Sequence, residues 1–231
     1  MKFQFNRPMK FKQLFLICVL LTVSVQAFAL EILTMGDSIT KGWPYVVYNQ
    51  DGKRLGMYQP ELERLLGTAN IPSRVYNWGV GGEMTYEGVN RITTVLGSRV
   101  ADFILIMEGA NDVLNGTSST TTKINIGIMI DKSLQQGVIP IVGTITPNTT
   151  KGSLYDNRIK NDYNPKLVSM ASQKGVSLAD QYGALRPEWV QLNKDQLHPN
   201  IAGYKVVART WYLVIRPANP VGGAIMLLLL H

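Results

Sequence analysis

The chain has 231 residues and a formal net charge of +7, with 23 lysines and arginines against 16 acidic residues. Four of the basic residues lie in the first 29 positions, which contain no acid, so the remainder carries 19 against 16, a net charge of +3. That remainder has no Lys/Arg cluster of the kind that indicates a nucleic-acid partner, and its length allows one domain with a sizeable core.

Residues 1–29 have the pattern of a secretory signal peptide. Basic residues precede an apolar run of 12 residues from Leu14 to Val25, and the small residues Ala27 and Ala29 follow. The run is shorter than the roughly 20 apolar residues of a membrane-spanning helix, although an uncleaved anchor is the alternative. We therefore expect a secreted or periplasmic protein. Cys18, the only cysteine, lies in this segment, so the mature chain has no disulfide, thiolate nucleophile or zinc–thiolate site.

Between residues 30 and 215, short apolar runs typical of strands alternate with longer helical patterns. The predicted strands are 31–35, 74–77, 102–107, 138–144 and 176–180. The predicted helices are 59–67, 85–97, 121–137, 164–175 and 201–213, the last with Ala202 and Trp211 facing the core. Continuous apolar runs are typical of strands covered on both faces. The alternation predicts one α/β domain, residues 30–215, with a parallel sheet and right-handed crossovers.

The C-terminal segment, residues 216–231, ends in the apolar run VGGAIMLLLLH. It is too short to span a membrane, and no basic residues follow it. Two interpretations stay open: a tail for sorting or surface attachment, or a last strand or helix that packs on the domain.

Ser38 follows the first predicted strand, in the stretch MGDSIT. Gly, Asp and Ser are ordinary turn residues, so one interpretation is a plain turn that ends the strand. The other is a nucleophile at the carboxyl end of a sheet strand, where open α/β folds place their sites. The neighbouring Asp37 is expected to hydrogen-bond within its own loop.

His198 is the only realistic base for such a serine, because the other histidine is His231 at the end of the apolar tail. It lies in LNKDQLHPNIAGY, three residues after Asp195. This spacing lets the carboxylate reach the imidazole Nδ1, which leaves Nε2 to accept the serine proton. For this segment alone, a turn that leads into the last helix is an equal alternative.

Two further segments follow predicted strands. The stretch YNWGVGGEM contains Gly79, Gly81 and Gly82, and glycine permits the close backbone approach that an amide pointing at a ligand requires. The stretch MEGAND places Asn111 where the third strand stops, with a side-chain amide that can donate hydrogen bonds. Acyl transfer needs such donors, because negative charge develops on the carbonyl oxygen. Together with the other two segments, these residues are predicted to meet at one edge of the sheet.

The stretches GDSIT, NWGVGG, GAND and DQLHP, in this order, resemble the four blocks of SGNH (GDSL-type) hydrolases. The resemblance covers residues 32 to about 211. It implies a single three-layer, flavodoxin-like domain with a five-stranded parallel sheet in the order 2-1-3-4-5. It also implies a triad of Ser38, His198 and Asp195, and an oxyanion hole formed by the backbone N–H groups of Ser38 and Gly82 and the side chain of Asn111.

The activity implied by the resemblance is hydrolysis of carboxylic esters through an acyl-enzyme, without a cofactor or metal ion. Aromatic residues near the site in sequence either stack on substrate or pack in the protein: Trp43, Tyr45, Tyr48, Trp78 and Trp189. A polar stretch, 146–157, is predicted as a loop on the leaving-group side. These features favour short acyl groups, such as acetyl on carbohydrates, in a small-molecule or glycan ester, and we expect a monomer.

Three other functions remain open from the sequence. The same site could serve a lipase or lysophospholipase, or an acyltransferase in which a sugar replaces water. The third is a secreted carbohydrate-binding protein that keeps the fold without the chemistry, since fold does not determine function.

Overall fold

A computed structural model describes residues 29–216, except for positions 51 and 53. The predicted signal peptide, apart from Ala29, and the apolar tail from residue 217 onward lie outside these residues. Among the helices of the described part, none is long and apolar enough to cross a membrane.

The described chain alternates strands and helices in the way that the apolar runs predict. Its strands are β1 (Leu30–Gly36), β2 (Val47–Tyr48), β3 (Arg54–Gly56), β4 (Ser73–Gly79), β5 (Phe103–Met107), β6 (Ile139–Gly143) and β7 (Ser177–Ala179). Its α-helices are α1 (Ser38–Lys41), α2 (Tyr58–Thr68), α3 (Thr85–Leu96), α4 (Ala110–Asn115), α5 (Ser119–Gln135), α6 (Ser153–Arg158), α7 (Asn164–Lys174), α8 (Gln181–Leu185), α9 (Trp189–Leu192) and α10 (Ile201–Ile215). A π-helical turn, Ile159–Tyr163, joins α6 to α7, and a 3₁₀ turn, Arg186–Glu188, joins α8 to α9.

Five strands form one parallel sheet in the order β4-β1-β5-β6-β7, which is 2-1-3-4-5 among the strands of that sheet. The register is set at the centre by Ile32, which pairs with Val75 on one side and Phe103 on the other. The predicted α/β fold, its parallel sheet and its strand order are confirmed. The two remaining strands, β2 and β3, form a separate antiparallel ribbon after α1.

Helices cover both faces of the sheet. Helices α3, α5 and α7 lie on one face, and α2 and α10 lie on the other. The side chains of Met35 and Met129 meet beside α3 on the first face, whereas Trp211 of α10 packs against Gly143 on the second. Because both faces are covered, strands such as β5 are buried at every position, and this explains their continuous apolar sequence.

Two local predictions are wrong. The polar stretch 146–157 is a loop only in its first part, because α6 begins at Ser153. Ala202, which was expected to face the core, is exposed. The buried stripe of α10 runs through Tyr204, Ala208 and Trp211. A residue two positions from Tyr204 lies about 200° away around the helix and therefore faces solvent.

Candidate active site

Ser38 is the first residue of α1 and follows β1 with only Asp37 between them. Asp37 caps this helix, because its Oδ1 accepts a hydrogen bond of 2.9 Å from the backbone N–H of Ile39. A Cβ atom at Gly36 would overlap Thr40 Oγ1 and the carbonyl oxygen of Met107, so no side chain fits at this turn. The strand-to-helix turn therefore presents the serine at the carboxyl edge of the sheet. The interpretation of Asp37 as a residue that bonds within its own loop agrees with this geometry.

The three residues predicted as a triad form a continuous chain of hydrogen bonds. Ser38 Oγ lies 2.9 Å from His198 Nε2, and His198 Nδ1 lies 2.8 Å from Asp195 Oδ2. Partial burial raises the pKa of the Asp195 carboxyl, but hydrogen bonds from the backbone and ring of His198 outweigh this, so the pKa is lower than usual. An ionised Asp195 accepts a hydrogen bond from Nδ1–H of His198, which leaves the Nε2 lone pair directed at the serine hydroxyl.

The loop with Asp195 and His198 lies between α9 and α10, directly before the last helix. Its shape is fixed by backbone hydrogen bonds from Lys194 N–H to His198 O, 2.8 Å, and from Thr149 N–H to Gln196 O, 2.9 Å. The backbone of Gln196 is left-handed, with φ of 70°. The loop after β6 therefore helps to hold the loop that contains Asp195 and His198 in place.

The predicted glycine and asparagine segments meet each other beside α1. A Cβ atom at Gly79 would overlap the backbone nitrogen of Lys41, so the end of β4 lies directly against the helix that Ser38 begins. Gly82 has φ of 80°, a left-handed conformation that favours glycine. Asn111 Nδ2 donates a hydrogen bond of 2.9 Å to the backbone carbonyl of Glu83. All the predicted site residues therefore lie on elements that converge at this edge.

Buried acids behind these segments were not predicted from the sequence. Asp112 accepts hydrogen bonds from Thr85 and Thr122 and so joins α4 to α3 and α5. Burial, together with the nearby acids Glu83 and Asp112, raises the pKa of Asp37 to about 7, although the bond from the Ile39 amide opposes this. The sequence does contain a signal for such acids, because a charged residue stands directly after an apolar strand or directly after a pair of glycines. In the part of the chain that the structure describes, no group of three or more His, Cys, Asp or Glu side chains is arranged to hold a metal ion.

Of the five aromatic residues named from the sequence, two are exposed, one is buried, and Tyr45 and Trp78 are partly buried against the core. Trp43 and Tyr48 are 52% and 58% exposed and lie in the segment after α1. The hydroxyl of Tyr204 anchors this segment by donating a hydrogen bond of 2.6 Å to the carbonyl of Trp43. Trp189 is only 2% exposed and belongs to the core, so it does not line the site.

Residues 34–206 match the sequence profile of the GDSL-like lipase/acylhydrolase family. The chain belongs to this family. It is therefore a GDSL-type (SGNH) carboxylic ester hydrolase. The match begins inside β1 and ends inside α10, so it contains all the residues of the predicted triad and oxyanion hole.

Characterised relatives of this GDSL-type hydrolase share about a quarter of its sequence. An arylesterase of Vibrio mimicus is 24% identical over 169 residues, which cover 73% of this chain and 80% of the relative. A thioesterase 1/protease 1/lysophospholipase L1 of Escherichia coli (strain K12) is 24% identical over 196 residues, which cover 85% of this chain and 88% of the relative.

Solved structures resemble the hydrolase over most of their length. A G-D-S-L family protein from Veillonella parvula superposes with a TM-score of 0.65 at 23% identity, over 81% of this chain and 98% of that one. An acetylxylan esterase from Geobacillus stearothermophilus superposes with a TM-score of 0.70 at 18% identity, over 82% and 96%. At these identities the likeness shows a shared fold.

Proposed function

We propose that this hydrolase is a secreted serine esterase that removes short acyl groups, such as acetyl, from carbohydrate esters. The observation that carries the proposal is the hydrogen-bonded chain from Asp195 through His198 to Ser38, with separations of 2.8 and 2.9 Å. Acyl transfer through a serine requires an ionised carboxylate, an oriented imidazole and a hydroxyl at the accessible edge of the sheet.

The chemistry proceeds in two halves. His198 Nε2 removes the Ser38 proton while Oγ attacks the ester carbonyl, and the same nitrogen then protonates the leaving alcohol. Water, deprotonated by His198, attacks the acyl-enzyme and releases the acid with Ser38 restored. Asp195 holds the tautomer and stabilises the imidazolium that forms in each half.

The proposed oxyanion hole uses donors from three segments: the backbone N–H groups of Ser38 and Gly82 and the side chain of Asn111. One hydrogen on Asn111 Nδ2 is used by the carbonyl of Glu83, 2.9 Å away, and this bond orients the amide. The second hydrogen on the same nitrogen is the one we assign to the oxyanion. Such pre-oriented donors stabilise charge that appears only in the transition state.

The preference for acylated sugars rests on the rim of the site and on the comparisons. Trp43, whose backbone N–H donates to the carbonyl of Ser38, and Tyr48 of β2 both present exposed aromatic surface on which sugar rings can stack. An acetylxylan esterase is among the proteins of similar fold. The signal-peptide pattern of residues 1–29 supports action outside the cytoplasm, where polysaccharides are accessible.

Aryl esters or thioesters with longer acyl chains are the second candidate substrates. Val80, within the glycine segment, and Tyr86, in the first turn of α3, are 42% and 54% exposed and offer apolar surface to an acyl chain. The relatives named as an arylesterase and as a thioesterase and lysophospholipase support this alternative.

The test compares hydrolysis of p-nitrophenyl acetate, butyrate and decanoate with release of acetate from acetylated xylo-oligosaccharides, using protein that begins at residue 30. Ser38→Ala is the matched control and is expected to lower kcat by up to about 10⁶. The proposal requires kcat/KM to fall as the acyl chain lengthens and requires acetate release from the oligosaccharides. Rates that increase towards decanoate would favour the second candidate, and equal rates in Ser38→Ala would exclude Ser38 as the nucleophile.

A further inference from the structure

Glu108 is a buried acid that has no role in the reaction described above. It follows β5 directly and lies three residues before Asn111, with only 1% of its surface exposed. Among the described residues, no donor hydrogen-bonds to either of its carboxyl oxygens. Leaving an ionised carboxylate in this state is costly, so the side chain needs another explanation.

The charged groups that face Glu108 come from three different segments. Asp37 approaches from the end of β1, Glu83 from the glycine segment and Arg91 from α3. The carboxyl itself lies against α3, because its Oε1 is 3.5 Å from the place that a Cβ atom at Gly88 would occupy. Burial, followed by the proximity of Glu83 and Asp37, raises the pKa of Glu108 well above its ordinary value, and Arg91 only partly opposes this. Burial without a hydrogen-bond donor, next to other carboxylates, therefore favours the protonated form of Glu108, which has a proton to donate.

Of the groups that face Glu108, Glu83 contributes most to its raised pKa, and the carboxylate of Glu83 is an acceptor for that proton. Glu83 is itself buried and is held by Arg91 through two bonds, Nε to Oε1 at 2.6 Å and Nη2 to Oε2 at 2.5 Å. A bidentate pair of this kind leaves acceptor capacity on both oxygens. Glu83 thus lies between the partly exposed Arg91, which donates two hydrogen bonds to it, and the buried Glu108.

Glu83 also connects this chain to the oxyanion hole. It directly follows Gly82, and its backbone carbonyl accepts the hydrogen bond of 2.9 Å from Asn111 Nδ2. The other two proposed donors, the backbone N–H of Gly82 and the side chain of Asn111, therefore depend on the position of Glu83. We propose that Glu108 is a positioning residue of the oxyanion hole, which donates a hydrogen bond to the Glu83 carboxylate and thereby aligns Gly82 and Asn111.

This inference rests on the proposed catalytic site and predicts an effect on the transition state alone. A ground-state ester needs little from the oxyanion hole, whereas the tetrahedral intermediate needs correctly placed donors. Displacement of catalytic groups by about 1 Å can cost on the order of 100-fold in rate. We therefore expect loss of the Glu108 donor to lower kcat and to leave KM almost unchanged.

The experiment compares Glu108→Gln, Glu108→Leu and Glu108→Met with the wild type. The amide of Glu108→Gln can still donate to Glu83, whereas Glu108→Leu has similar bulk and no donor. Glu63→Gln is the matched control, since Glu63 is a half-buried acid outside the site that accepts a hydrogen bond of 2.6 Å from Val75 N–H. Two quantities are measured well below the unfolding temperature: kcat and KM for p-nitrophenyl acetate, and the Ki of phenyl trifluoromethyl ketone, which adds to the serine as an anionic tetrahedral adduct.

The proposal predicts that Glu108→Leu lowers kcat by about 10- to 100-fold and raises Ki by the same factor, while Glu108→Gln and Glu63→Gln stay within about three-fold of the wild type. It is wrong if Glu108→Leu keeps the wild-type kcat and Ki, or if Glu108→Gln loses as much as Glu108→Leu. Should Glu108→Leu not fold, Glu108→Met, which also lacks a donor, decides in the same way, because it must lower kcat and raise Ki together. Ser38→Ala and Asn111→Ala, assayed alongside, separate failure of this inference from failure of the proposed site.

Discussion

The side-chain amide of Gln59 donates a hydrogen bond of 2.8 Å to the backbone carbonyl of Thr40, and this bond holds the helix that begins with Ser38 onto α2. The same nitrogen donates to Thr34 Oγ1 of β1 at 3.0 Å, and Gln59 Oε1 accepts from the Met57 amide at 3.1 Å. Gln59 is 1% exposed. One buried amide therefore joins the nucleophile's helix, the strand before it and the helix beneath it.

Replacing Gln59 by Leu is expected to lower the free energy of unfolding by about 1–3 kcal/mol. The substitution leaves the carbonyl of Thr40 and the amide of Met57 buried without their partner. Urea unfolding measures the change. Gln173→Leu is the control, because Gln173 makes only an exposed hydrogen bond of 3.2 Å to Ser169 on α7. Equal stability of the two variants would show that the buried amide contributes nothing beyond its bulk.

Two glycines are expected to respond to alanine in opposite directions. A Cβ atom at Gly79 would overlap the backbone of Lys41, whereas a Cβ atom at Gly67, in α2, meets nothing within 4 Å. Gly79→Ala should destabilise the protein by about 3 kcal/mol or more and reduce activity, since α1 must move. Gly67→Ala should stabilise it by about 0.5–1 kcal/mol, because alanine favours helix and restricts the unfolded chain. Thermal unfolding of both variants tests this, and a tolerated Gly79→Ala would contradict the close packing of β4 on α1.

Asp195→Asn is expected to lower kcat by roughly 10³–10⁴, by analogy with serine proteases, because an amide no longer imposes the required tautomer on His198. The rate of nitrophenol release from p-nitrophenyl acetate measures the loss. Asp162→Asn serves as the control: its carboxylate forms a surface ion pair of 2.6 Å with Lys166, and pairs of this kind contribute little. A loss below about ten-fold in Asp195→Asn would remove the aspartate from the proposed triad.

The raised pKa of Asp37 predicts that stability falls as pH increases between about 4 and 7. The folded protein keeps this proton up to about pH 7, whereas the unfolded chain releases it near 3.8, so the folded state binds more protons across this interval. Raising the pH from about 5 to about 7 should therefore cost about 2 kcal/mol through Asp37.

Asp37→Asn isolates this contribution, because the amide oxygen can still accept from Ile39 N–H but the side chain no longer titrates. Urea unfolding of both proteins at the two pH values gives the comparison. Glu108 contributes with the same sign in both proteins, and Asp37 is one of the groups that raise its pKa, so the difference between the proteins reports on Asp37 together with its effect on Glu108. Identical pH dependence in the variant and the wild type would contradict a neutral Asp37.

The regular parts of the fold could be predicted from local sequence alone. The five strands of the sheet are continuous apolar runs, and the longer helices show apolar periodicity closed by glycine, so their positions agree with the structure to within a few residues. Short elements were missed: the β2–β3 ribbon, α4, α6 and the α8–α9 segment have too few residues for a periodic pattern. Ala202 was assigned to the wrong face although the start of α10 was predicted correctly, because its apolar character was taken as a sign of burial while it lies about 200° around the helix from Tyr204.

The sequence by itself determined that Asp195 can reach His198, because three residues of chain on one turn leave them little room to separate. It also determined that Ser38, Gly82 and Asn111 each follow a strand within a few residues, since the apolar runs stop shortly before them. Only the tertiary structure decided that Ser38 and His198, 160 residues apart, make a hydrogen bond. It alone brought Glu83, Arg91 and Glu108 together in the interior, because burial and proton affinity depend on packing between segments that are distant in the chain.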